Sequence, residues 1–141
     1  MTSIKDKWSM SDYPSMGWHD CRIYSVSFLN ESNIVSFDID YIFDYKMDER
    51  EENRFLVAPA NLHLFDAFDF TLEVKSGELV GVTIENMTIS YLRKSKNGAV
   101  DIFLCVIELD VGKLSVKTSG FEMILRQPPA FSPTQDLGRP V

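Results

Sequence analysis

A chain of 141 residues fits one domain and is long enough to bury a core without disulfides or metals. Its formal charge of −7 and pI near 4.7 exclude nucleic acid as an expected partner, because phosphate contacts need Lys and Arg gathered on one face. Hydrophobic residues at 45% and charged ones at 25% are ordinary for a globular protein, and no apolar run approaches the roughly 18 residues of a membrane-spanning helix.

Residues 1–17 are polar and aperiodic, which predicts an N-terminal arm pinned to the body by Trp8, Met10 or Tyr13. A single β domain is expected over 18–126, opening at Trp18-His19-Asp20, with residues 21–29 as a first, loosely alternating strand. The turn cluster Asn30-Glu31-Ser32-Asn33 joins it to the next strand as an antiparallel hairpin. That strand, residues 34–45, is the clearest element of the chain. Phe37, Ile39, Tyr41, Phe43 and Tyr45 alternate with Ser36, Asp38, Asp40 and Asp44, the pattern of a long strand with one buried face.

Residues 46–53 predict a charged loop, and 54–58 a short strand ended or bent by Pro59, which has no N–H to give to a ladder. Residues 60–70 admit either one helical turn from Pro59 or a strand that bends near Asp66 and resumes. The alternation of Phe70, Leu72 and Val74 with Thr71, Glu73 and Lys75 favours the strands. Ser76-Gly77 turns the chain, 82–92 is a strand, and Asn97-Gly98 signals a hairpin. Residues 99–109 are apolar on both faces, which predicts a central strand covered on both sides. After a turn at Asp110-Val111-Gly112, residues 113–117 pair back with Leu114 and Val116 inward. Thr118-Ser119-Gly120 interrupts the chain as a bulge or turn would, and 121–126 is the last strand. Residues 127–141, with four prolines, read as an irregular C-terminal tail, whose last dozen residues are expected with the arm to be the most mobile parts unless a neighbouring subunit holds them. The sum is an all-β fold, an antiparallel sandwich or partly open barrel of about eight strands with little helix.

Cys105 lies in an apolar run and reads as a small buried hydrophobe, and its spacing from Cys21 matches no metal or redox motif. No basic-then-apolar leader opens the sequence, so the expectation is a cytoplasmic protein with reduced thiols.

Trp18-His19-Asp20 is the best local candidate for chemistry, since a His beside an Asp serves as an acid–base pair or as a ligand backed by a carboxylate. The competing reading makes Trp18 a core plug and His19 a hydrogen-bonding corner. Asp38 and Asp40 share a strand face and, with His19, offer ligands to a hard divalent cation. Against that, zinc and calcium spacings are absent, and Arg22, Arg54 or Arg126 are available to pair with the carboxylates. His19 is two residues from Cys21, the spacing of a thiolate–imidazole pair on one strand face. No Gly-x-Ser-x-Gly elbow, phosphate loop or dinucleotide fingerprint occurs, and no cofactor is expected.

Trp18-His19-Asp20-Cys21, then Phe37-Asp38-Ile39-Asp40-Tyr41-Ile42, then Val57-Ala58-Pro59-Ala60 with Leu62 and Phe65 form a set of motifs. With Gly120-Phe121, Leu125-Arg126 and a proline-rich end, the set resembles a family of small uncharacterised bacterial proteins with a Trp-His-Asp start and an Asp-Ile-Asp-Tyr strand. That family is in turn distantly similar to immunity proteins of polymorphic toxin systems. The likeness covers residues 18–126 and departs in the Phe-rich segment 64–70, where the family tends to aliphatic residues. It carries no assigned activity and so implies no catalytic residue.

Residues and resemblance together predict a non-catalytic, immunity-like binding protein that occludes a basic, toxin-like protein partner. The expected binding residues are Trp18, His19, Asp20, Asp38, Asp40, Asp44 and Arg126. The carboxylates of Asp48, Glu49, Glu51 and Glu52 are expected to speed the encounter by long-range attraction. The alternative is an enzyme or metal-binding protein with its site around His19, Asp38 and Asp40. A homodimer is expected from sheet edges with few blockers beyond Pro59 and the basic cluster Arg93, Lys94 and Lys96.

Overall fold

The computed structural model describes residues 5–29, 33–47, 53–75 and 81–140. Among them are ten strands and one 3-10 helix, Met10–Ser15. The strands are β1 (Lys7–Ser9), β2 (Arg22–Leu29), β3 (Ile34–Met47), β4 (Asn53–Phe65) and β5 (Phe68–Val74), then β6 (Ile84–Lys94), β7 (Asp101–Leu109), β8 (Gly112–Thr118), β9 (Gly120–Leu125) and β10 (Ala130–Ser132). All pair antiparallel. A six-stranded sheet runs β1-β9-β4-β3-β2, with β10 also on β4, and a four-stranded sheet runs β5-β8-β7-β6. The two sheets form a sandwich and not a closed barrel.

The core lies between them. Val35, Phe37, Ile39 and Tyr41 point inward from β3 and meet Ile84, Cys105, Ile107, Leu114 and Val116 of the second sheet. The alternation read from residues 34–45 holds as far as Tyr41 and then changes phase. Phe43 has no partner on β4, because the register slips between Ile42 and Asp44. A bulge adds one residue and flips every later side chain to the other face. Tyr45, expected inward, is therefore 52% exposed and stacks at the surface on Phe55.

Pro59 does not end its strand. It lies inside β4 opposite Asp40, with β3 on one flank. The Pro59 carbonyl accepts the backbone N–H of Arg126 on the other flank. A strand residue's nitrogen faces the same side as its carbonyl, so the missing donor faces Arg126, at the end of the β4–β9 ladder and past the end of the β4–β10 one. The strand forgoes one return bond there and keeps its pairing on both sides of it. Pro59 is not an edge blocker in the folded state, since β4 is an interior strand.

Three further regions differ in part from expectation. Residues 7–15, expected as an arm pinned by Trp8, Met10 or Tyr13, form strand β1 on β9 and a 3-10 turn, and all three side chains do pack on the core. At Thr118–Gly120 the chain leaves the second sheet for the first. Gly120 at φ 153° makes the crossing, and buried Thr118 satisfies the corner by donating from Oγ1 to the carbonyls of Phe65 and Gly120. Strand β7 is interior, but only its inner face is covered. Leu104 and Val106 are half-buried among Ser90, Lys117, Thr88 and Ser115 of the flanking strands. The bend at Asp66 and the strand resuming after it are present as expected, with Asp66 at φ 49°.

Tyr13 guards a sheet edge. Its hydroxyl donates to the Met87 carbonyl (3.1 Å) and accepts from the Ile89 N–H (3.1 Å), doing for β6 what a neighbouring strand would. Tyr13→Phe is expected to cost about 1 kcal/mol, the net worth of such bonds when water replaces them, read as a lower urea midpoint at unchanged slope.

Candidate binding site

The outer face of the six-stranded sheet carries Asp38 and Asp40 on β3 and Tyr24 on the neighbouring edge strand β2. Beyond β10, residues 133–140 cross this face without regular structure and are fastened to it by polar groups. Gln135 donates to Asp20, Arg22 reaches Asp136 at 2.8 Å, and the Leu137 N–H donates to Asp40 Oδ2 at 2.7 Å. The Gly138 N–H donates to the Tyr24 hydroxyl, which itself donates to Asp40 Oδ2 at 2.6 Å. The tail read as mobile, or held by a second subunit, is thus held by its own chain.

Arg139 completes the cluster. Its Nε and Nη2 grip Asp38, Nη2 also donates to the Ile39 carbonyl at 2.9 Å, and Nη1 lies 2.9 Å from Asp40 Oδ1. The guanidinium rests 3.8 Å from the centre of the Tyr24 ring, a cation–π distance. Arg126 shares Asp38 Oδ1 with Arg139, at 2.7 Å, and also donates to Asn61. Partial burial alone would raise the Asp38 pKa, but hydrogen bonds from Arg139 and Arg126 outweigh it and hold the carboxyl below the usual range. Asp40 is fully buried beneath the tail. Tyr24 is pushed up to about 12, first by burial and then by donating to Asp40, so its phenol stays protonated at neutral pH.

Of the other expected binding residues, Asp20 holds the tail through Gln135, and the rest sit apart from this pairing. Trp18 is a core residue, edge-on to Tyr41 and Phe121, and its buried Nε1 has no hydrogen-bond partner among the described residues. His19 is exposed and touches Asp20, Nδ1 to Oδ2 at 3.0 Å, so these two neighbours do meet at a corner where Asp20 takes φ 69°. Asp44 lies past the Phe43 bulge and accepts the N–H of Tyr45. Residues 48–52 lie outside the described residues.

No group of three or more His, Cys, Asp or Glu among the described residues is arranged to hold a metal. The Asp38 and Asp40 carboxylates are instead engaged by arginines, Tyr24 and a backbone amide. The Cys21 thiol is buried, accepts the N–H of Ile42, and is pushed up to about 12 by that burial. Cys105 is raised to about 12 for the same reason. Neither thiol is expected to react with an aromatic disulfide reagent at pH 8 until denaturant is added, because thiolate and access are both lacking. Prompt release of thiolate chromophore from the native protein would contradict the burial of both.

No family model matches the chain, and no curated protein or solved structure matches it either. The site therefore rests on its own geometry. Asp20, Asp38, Asp40 and Arg126 were legible in the sequence as site residues, and Tyr24, Gln135, Asp136, Leu137 and Arg139 were not. Of these, Tyr24 was the findable one, since β2 was expected to lie beside the Asp38–Asp40 strand. The tail residues sit in an aperiodic stretch with no positional signal.

Proposed function

We propose that this is a non-catalytic binding protein, immunity-like, that occludes a basic, toxin-like protein partner. One observation carries the reading: the Asp38–Asp40 face of the sheet already seats cationic side chains, Arg126 and Arg139. The strongly acidic balance of the chain adds long-range attraction for such a partner. A cytoplasmic location and a homodimer go with this reading; described cysteines are free thiols, and no described helix is long and apolar enough to cross a membrane.

The test is co-expression with the product of a neighbouring toxin gene. Protection of the host is expected, together with a purified complex whose association rate falls steeply with salt. Absence of both protection and complex ends the immunity reading. Light scattering at micromolar concentration settles the dimer, with a monomer mass ending that part.

A further inference from the structure

We infer that Tyr24, Asp38, Ile39 and Asp40 form a guanidinium-binding site, filled in cis by Arg139, that admits an arginine side chain of a protein partner when the tail lifts. Its use by a partner rests on the binding reading; the site itself does not.

The geometry is that of arginine recognition and not of a general cation patch. Asp38 meets Nε and Nη2 together, which uses the planar fork that a lysine lacks. The Tyr24 ring lies against the guanidinium plane, 3.8 Å from its carbon, and the Ile39 carbonyl takes another N–H. Asp40 supplies the deep end. Its carboxylate is 0% exposed, and Oδ1, without an aligned hydrogen bond, faces Nη1 across 2.9 Å. A buried carboxylate oxygen so placed needs a cation, and a partner arginine can supply one as well as Arg139 does.

The cis occupant is built to leave. From Gln135 to Arg139 the described fastenings are hydrogen bonds, ion pairs and one ring contact, each of which water or a competing group can replace. Leu137 is 43% exposed and gives no apolar anchor. Tethering gives Arg139 a high effective concentration, so a free arginine competes poorly, whereas a protein adding contacts elsewhere competes well. The tail thus acts as a built-in selectivity filter.

Removing the occupant tests this. Purified R139A is titrated with N-acetyl-arginine methylamide and with the lysine counterpart, followed by the tyrosine ring signals in NMR. Saturable binding of the arginine compound is expected, at least about tenfold tighter than the lysine compound because only arginine makes the forked contact. Wild type should show no saturation over the same range, and D38N/R139A should lose the preference. Equal response to both compounds, or saturation of wild type like that of R139A, overturns the proposal. If R139A fails to fold, R139K serves, expected to bind the arginine compound and release its tail; no binding there also overturns it. A failed titration leaves host protection intact, and a failed protection assay leaves the titration intact, so the two readings fall separately.

Discussion

Asp40→Ala is expected to lower the unfolding free energy by about 3 kcal/mol and to free the tail from the sheet. The substitution strips the acceptor from Tyr24 and from the Leu137 N–H and leaves Arg139 with Asp38 alone. Breaking a buried pair costs roughly 3–5 kcal/mol when the surviving charge stays buried. Here the survivor can escape, because Arg139 is already 20% exposed and sits on a polar strap, so the cost falls at the low end. Two measurements check it. The urea midpoint should drop, and the amides of Leu137 and Gly138 should exchange orders of magnitude faster than in wild type. Asp40→Asn keeps one acceptor and should lose about half as much. A stable Asp40→Ala protein with both amides still protected would show that the tail is held by something other than this carboxylate.

Gly112→Ala should be comparably damaging for a steric reason. A Cβ at this position would stand 1.9 Å from the Glu73 carbonyl oxygen and 3.0 Å from the Val74 Cα, both backbone atoms of β5. No rotamer relieves a clash with backbone. Either β8 shifts, and Leu114 and Val116 leave their places in the core, or the last pairs of β5 open. Overpacking costs typically 1–3 kcal/mol, and the rigid obstacle puts this case near about 3. Because β5 is an edge strand, opening it is the cheaper response, and the Lys75 amide, bonded to the Val111 carbonyl at 2.7 Å, should lose its protection first. Gly17→Ala is the control. Nothing lies within 4 Å of the added methyl, so its effect should stay within about 0.5 kcal/mol.

Periodic features were legible in the sequence and non-periodic ones were not. The alternation from Val35 to Tyr41 located β3 and its buried face, because a half-buried strand must repeat every second residue. Asn97-Gly98 marked the β6–β7 hairpin, and Gly98 indeed takes φ 71°. The bulge at Phe43 was hidden, since Phe43 and Tyr45 continue the alternation of Phe37, Ile39 and Tyr41 without a break in the sequence. Pro59 misled in the other direction. A proline argues most strongly against an interior strand in mid-ladder, and whether it falls there or at a ladder's end is set by neighbours far along the chain. The site divided in the same way. Asp38 and Asp40 announced themselves as like charges on one face, but Arg139 lies 101 residues from Asp38, and an ion pair leaves no periodic trace.

The order of the first sheet also sets the order in which it is assembled during synthesis. Strands β3 and β4 are joined by a short connection from Met47 to Asn53, so they can pair as soon as both have emerged. The other flank of β4 waits for β9, from Phe65 to Gly120, and β1 near the start waits for the same strand, Lys7 pairing with Ile124. At about 5–20 residues per second, the far side of β4 stays uncovered for roughly three to eleven seconds. An unpaired edge of that length invites pairing with another nascent chain. Pro59, which in the finished sheet accepts from Arg126 and gives nothing back, stands in the middle of that edge with no donor to offer. On a nascent chain it breaks the run of donors that a wrong strand would need for pairing.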